Sequence, residues 1–145
     1  MPNRKLKDIV ARQELVHASI SDSVADTVKR MQRNHVGAAV ILGADGELKG
    51  IFTGSNLFND VLEPKLDPLE TCIAEVMTEN PICLHCEQTG IEAVRHMREH
   101  GIRHIVVVKD GDEGYGVVSI RDFPNEELGD YEKEFEFERK LWESI

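Results

Sequence analysis

The chain is short of positive charge, of cysteine and of long apolar runs, and each shortage excludes something. Lys and Arg number 17 against 27 Asp and Glu, a formal net charge of −10 at pH 7. A general nucleic-acid binder shows a basic face, so that class is excluded, although an averaged charge leaves room for a local basic pocket. No run approaches the ~20 apolar residues of a membrane span. The opening Met1-Pro2-Asn3-Arg4-Lys5-Leu6-Lys7 has no apolar core of a secretory leader. The expectation is a cytoplasmic protein with neither nucleic acid nor membrane as a partner. Three cysteines, Cys72, Cys83 and Cys86, are an odd number, and 145 residues can bury a core without a disulfide framework. A nucleophile elbow, a P-loop and a Rossmann glycine pattern are also missing, so an enzyme is not expected. Gly43 to Gly50 carries glycines, but it lies in an expected hairpin rather than between strand and helix, as a phosphate loop requires.

What is present is a duplication. Gly116-Val117-Val118-Ser119-Ile120-Arg121-Asp122-Phe123 is an apolar β-forming run that ends at a hydroxyl, with a carboxylate three residues on. A helix beginning near Arg121 would place Asp122 in its first turn, beside free backbone N–H groups. Such an end is a polar cradle suited to a sugar. Sixty-six residues earlier stands Gly50-Ile51-Phe52-Thr53-Gly54-Ser55-Asn56-Leu57, with Asn for Asp. At the same offset, without a gap, Val10/Val76, Val28/Val94, Met31/Met97, Val40/Val106, Glu47/Glu113, Asn59/Asn125 and Leu62/Leu128 coincide, and the element pattern repeats with them.

Each copy reads strand, helix, hairpin, helix. Ser23 and Asp26 in the first copy, and Thr89 and Glu92 in the second, have capping-box spacing. Gly101 ends the second of these helices. Ala38-Ala39-Val40-Ile41-Leu42 and Ile105-Val106-Val107-Val108 are β-branched runs, each followed by an Asp-Gly turn of hairpin type. The expected divisions are a basic lead-in 1–9, a first unit 10–62, a proline-bearing linker 63–73, a second unit 74–128 and an acidic helix 129–145. From Asn125 on there are eight acidic and three basic residues, half of the net charge. Leu128, Tyr131, Phe135, Trp142 and Ile145 fall near one face of that tail, which predicts packing on its own module or a dimer mate rather than on a membrane.

These residues resemble a tandem CBS-domain pair, the Bateman module named for cystathionine β-synthase. The pieces that match are Val76-Met77-Thr78 with Pro81-Ile82, the Thr89 helix, Ile102-Arg103-His104-Ile105-Val106-Val107-Val108, and Gly116 to Asp122. The resemblance covers about residues 10 to 128. It implies an α/β fold of two units about a pseudo-two-fold axis, commonly paired into a disc-shaped homodimer. It also implies a regulatory role without catalysis, in which an adenosine-containing ligand sits between the units. AMP, ADP or ATP is the first expectation, with S-adenosylmethionine or NAD as alternatives and no catalytic cofactor. By that resemblance Asp122 holds the ribose hydroxyls, Ser119 and Arg121 lie near ribose or phosphate, Arg103 and His104 reach phosphate, and the backbone of Thr78, Pro81 and Ile82 lines the base. Thr53 and Asn56 are the counterparts in the first copy, where Gly37 and Ala38 replace the basic pair. Two clefts are expected by symmetry, each able to borrow residues from the other copy, and the Asp122 cleft is favoured because Asn56 lacks the charge.

Plainer readings exist for each of these. Asp122 alone is a helix-start acid, Ser119 and Thr53 are strand-end caps, and Arg103 or His104 can face solvent. The alternative reading of the whole is a structural or interaction module with no nucleotide, working through an unidentified partner. Cys83-Leu84-His85-Cys86 suggests a thiol or metal sensor, yet tetrahedral zinc wants four ligands, and the fourth would have to be Cys72 or a distant His. His96 and His100 are spaced for chelation but lack the metalloprotease pattern, so a solvated face is expected there.

Overall fold

The computed structural model describes residues 3–144. Two sheets carry the repeat. The first has the order β1 (His17–Ser19), β2 (Ala38–Leu42), β3 (Leu48–Thr53), β4 (Thr78–Glu79). The second has the order β5 (Cys83–His85), β6 (His104–Val108), β7 (Tyr115–Ser119). Within each, the first strand runs parallel to the second, and a hairpin brings the third back antiparallel. The parallel crossovers pass through α2 (Val24–Arg33) and α4 (Gly90–His100). Register repeats with the sequence: His17 pairs with Val40, and Cys83 with Val106. The α/β pair of repeated units expected from the sequence is therefore present.

Alternation along β2 and β6 places the layers. Ala39 and Ile41 turn into a core shared with Val24 and Met31 of α2, and Ile105 and Val107 into one shared with Ala93 and Met97 of α4. Ala38, Val40, Ile51, Val106 and Val117 face the opposite way and meet in a third core between the sheets. Strands buried on both faces need uninterrupted apolar runs, which is why the alternation is weak in the sequence.

The two halves exchange their leading segments. The short helix α1 (Leu6–Val10), within the basic lead-in, buries Leu6 and Val10 fully in the core of the second half. The tight turn Ile73–Glu75 in turn sends Ile73 and Val76 into the core of the first half. Both segments also accept hydrogen bonds from helix N-termini, where backbone donors are otherwise unpaired. Gly90 N–H donates to Arg4 O at 2.7 Å, and Val24 N–H to Thr71 O at 2.9 Å. Ser23 caps α2 as expected, accepting from Asp26 N–H at 3.1 Å. Thr89 departs from the expected capping box, because its hydroxyl donates to Glu92 Oε1 at 3.1 Å instead of accepting.

Two further expectations need correction. No lasting helix begins at Arg121: Ile120–Asp122 is a single 3₁₀ turn, and the long helix α5 starts at Asn125 and runs to Glu143. Pro124 is the cause, since the residue before a proline is driven out of the helical region, and Phe123 has φ −111° and ψ 119°. The first half has no such proline, so α3 (Gly54–Asn56) follows β3 directly and widens into π-helical turns over Leu57–Leu62. The apolar stripe of the tail packs only over its first part. Tyr131 is buried and Phe135 lies under the Arg95 and Arg98 guanidinium groups, whereas Trp142 is 77% exposed. Ile145 lies outside the described residues.

Candidate functional site

Because 104↔119 is a cross-strand pair, His104 and Ser119 stand side by side at the end of the second sheet. Both follow the alternation that sends Val106 and Val117 into the interface, so both face the first half. There His104 meets Gly37: a Cβ on that glycine would lie 3.2 Å from His104 Nε2. The first copy's glycine is thus what admits the second copy's imidazole. A cleft of about 450 Å³ opens at this seam, with Ser119, Arg121 and Asp122 on one wall and Gln13–Val16 and His35–Ala38 on the other.

Asp122 is exposed, and one carboxylate oxygen, Oδ2, accepts from the Ser119 N–H at 2.8 Å. No protein donor reaches Oδ1 among the described residues. The Ser119 hydroxyl accepts from Arg121 N–H at 3.2 Å, so the turn is closed by its own side chains and holds the carboxylate at the cleft. Arg4 adds a brace from outside, donating from Nη2 to the Asp122 carbonyl at 3.0 Å. On the facing edge, the Gln13 side chain takes the place of a strand, donating to Val117 O at 2.5 Å and accepting from Val117 N–H at 2.8 Å.

His104 is held below the usual imidazole range mainly by burial. Asp122 opposes that shift, and Arg103 and Arg121 reinforce it. At neutral pH it therefore offers one donor and one acceptor rather than a cation. Arg103 itself enters through its backbone, its carbonyl accepting from Ile120 N–H at 2.9 Å, and its side chain is not among those lining the cleft.

The other expected residues gather elsewhere. Asn56 is buried, and all its amide positions are used. Oδ1 accepts from Thr53 N–H at 2.9 Å and from the Thr53 hydroxyl at 3.2 Å. Nδ2 donates to Asp60 Oδ2 at 3.0 Å and to Thr78 Oγ1 at 3.1 Å. Thr53, Asn56 and Thr78 thus form a clasp between β3 and β4, where Gly50 lets the strands close: a Cβ there would meet Thr78 O at 2.6 Å. Pro81 and Ile82 lead into β5, with Ile82 packed on the second core and its carbonyl accepting from Val106 N–H at 3.2 Å. The Asp122 cleft instead holds Gln13–Val16, which the repeat maps onto 79–82. That wall was hidden in the sequence because a two-fold arrangement sets each copy's entry segment against the other copy's strand end. Applying the 66-residue offset to Thr78–Ile82 would have found it.

His35 is a second residue that sequence reasoning passed over. It sits at φ 55°, the left-handed position after α2 that Gly101 fills at φ 62° after α4. A side chain there is strained where glycine is not, and this one lines the cleft.

The comparisons agree with this architecture. A protein from Schizosaccharomyces pombe, the meiotically up-regulated gene 70 protein, is 26% identical over 95% of this chain, which covers 20% of its length. The chain spans about a fifth or less of the curated relatives it first matches. The structure of the CBS domain protein PAE2072 from Pyrobaculum aerophilum, complexed with AMP, superposes with a TM-score of 0.77 at 23% identity, over 89% of this chain and 98% of that one. The CBS domain pair of MJ0100, in complex with 5′-methylthioadenosine and S-adenosyl-L-methionine, gives 0.70 at 24% identity, over 81% and 94%. Among the described residues no helix is long and apolar enough to cross a membrane. The family model of the CBS domain matches residues 6–63 and 73–125, so the chain belongs to the CBS-domain family as a tandem pair.

Proposed function

We propose that this CBS pair is a regulatory module, without catalysis of its own, that binds one adenosine-containing ligand of the AMP, ADP or ATP class at Asp122. The observation that carries the reading is an exposed carboxylate, fixed through Oδ2 by Ser119 N–H and with Oδ1 free of protein donors among the described residues, at the edge of a cleft of about 450 Å³. A carboxylate so held accepts from both hydroxyls of a ribose, and Arg121 and His104 supply donors toward a phosphate. Solved relatives that share the fold are described with AMP and with S-adenosyl-L-methionine, which favours the adenosine class. The first half contributes a wall, so bound ligand favours one orientation of the two halves. That preference passes to a dimer mate or partner protein; the exposed Phe58 and Leu62 after β3 suit a homodimer, and the acidic α5 is a second route.

A thermal-shift panel of AMP, ADP, ATP, S-adenosylmethionine and NAD tests the reading. At least one raises the melting temperature of the wild type and leaves Asp122→Ala unmoved. No shift with any of the five at millimolar concentration would instead identify an interaction module.

A further inference from the structure

A second group of polar side chains lies at the opposite end of β6 from the cleft. His85 ends β5, Cys86 follows it, and Asp110 stands in the hairpin between β6 and β7. One nitrogen, one sulfur and one carboxylate oxygen from these three all lie within 4.8 Å of one another. His85 Nε2 is 2.8 Å from Asp110 Oδ1, and Cys86 Sγ is 4.0 Å from Nε2. Cys83 is not part of the group, since its thiol donates to Pro81 O at 3.3 Å.

The fold calls for neither a thiol nor a carboxylate here. The 66-residue offset places Ser19, Ile20 and Ala44 at the same points of the first half, which builds the same strand end and hairpin. At this corner Ser19 N–H donates to Asp22 Oδ2 at 2.9 Å and His85 N–H to Gln88 Oε1 at 2.8 Å, and the turn bond that His85 Nδ1 accepts from Glu87 N–H at 3.1 Å is made in the first half by the Ser19 hydroxyl, from Ser21 N–H at 3.4 Å. In the second half, then, an isoleucine position has become a buried thiol, and a carboxylate and an imidazole have been set beside it.

We infer that His85, Cys86 and Asp110 form a site for a divalent cation of the zinc class, with water as the fourth ligand. Zinc takes nitrogen at about 2.0–2.1 Å, sulfur at about 2.3 Å and carboxylate oxygen at about 2.0–2.2 Å, so tetrahedral ligand atoms lie roughly 3.3–3.7 Å apart. The observed spacings bracket that range, and small side-chain rotations close the difference. A mixed nitrogen, sulfur and oxygen set excludes magnesium and calcium, which want oxygen alone. Cys86 is a buried thiol, 4% exposed, and zinc takes it as the thiolate. Binding releases that one thiol proton. The imidazole proton moves to Nδ1, and the 3.1 Å bond from Glu87 N–H to Nδ1 gives way as the half-exposed ring turns. The ion ties the end of β5 to the β6–β7 hairpin, apart from the nucleotide cleft.

The test uses the full chain, stripped with a chelator, and Co²⁺ as a spectroscopic probe with Zn²⁺ as competitor. The expected result is one equivalent bound, a near-ultraviolet thiolate-to-cobalt band, and displacement of that band by Zn²⁺. His85→Ala and Asp110→Ala, both at exposed positions that leave the fold intact, should weaken binding by about tenfold or more, the loss seen even when a supporting partner of a metal ligand is removed. Cys83→Ser and His100→Ala should keep the band. Cobalt bound without a thiolate band, as the stacked His96–His100 pair would give, overturns the assignment. So does full affinity in the His85→Ala, Asp110→Ala double variant. Because no nucleotide is present, a negative result leaves the Asp122 reading untouched.

Discussion

Arg4, near the head of the chain, and Glu127, near its end, meet in a two-point ion pair: Nε to Oε1 at 3.1 Å and Nη2 to Oε2 at 2.7 Å. Glu127 is 1% exposed and also accepts from the Tyr131 hydroxyl at 2.7 Å. The same guanidinium donates to the Asp122 carbonyl, so one side chain fastens α5 to the turn that presents the candidate ribose ligand.

Arg4→Ala should cost about 2 kcal/mol, short of the roughly 3–5 kcal/mol of a fully buried pair because Arg4 is 37% exposed. Burial pushes Glu127 up, and the bonds from Arg4 and Tyr131 more than offset it, holding the carboxyl below its ordinary 4.5. A depressed folded pKa stabilises above the unfolded value, and that stability is lost as pH falls below about 4.5. Chemical denaturation of wild type and Arg4→Ala at pH 7 and pH 3.5 checks this: the gap between them should narrow in acid.

Asn56→Asp restores the residue type of the second copy, but it should not create a second site. The new carboxylate would have no donor for Asp60 Oδ2, 3.0 Å from Nδ2 in the wild type, and would face it charge to charge. A loss of about 1–3 kcal/mol is expected from the broken clasp. Urea melts give the cost, and an unchanged number of bound nucleotides gives the functional half.

His35→Gly should stabilise the protein by about 1 kcal/mol, the penalty of a side-chain-bearing residue in the left-handed region. It should also weaken the ligand, because the imidazole lines the cleft. Higher stability with weaker binding is the predicted signature, and higher stability with unchanged binding would make His35 structural only.

His104 gives the pH dependence. Its folded pKa lies below the ordinary 6.5, so its contribution to stability is present above 6.5 and is lost as pH falls below it. A bound phosphate raises that pKa, so binding takes up a proton. Between pH 7.5 and 5.5 the free protein should become less stable while the ligand-induced melting shift grows. His104→Gln should flatten both trends.

The repeat, both β-hairpins, the Ser23 cap and the Gly101 stop were legible because each rests on local chemistry. The start of α5 was misplaced because Pro124, one residue, outweighs the likeness of Gly116–Phe123 to its first-half copy. The Gln13–Val16 wall and the Arg4–Glu127 pair were not legible, since both join segments about a hundred residues apart through the exchange of leading segments. Asp110 escaped for a more local reason: sequence spacing tied Cys86 to Cys83, while the β6–β7 hairpin brought in a carboxylate 25 residues beyond His85.

The central claim is one nucleotide per chain, at Asp122 rather than Asn56. Calorimetric titration with whichever adenosine ligand gives the largest melting shift measures it directly. The account predicts one bound per chain in the wild type and none detectable in Asp122→Ala. Two bound per chain, or one still bound after Asp122→Ala, would contradict it.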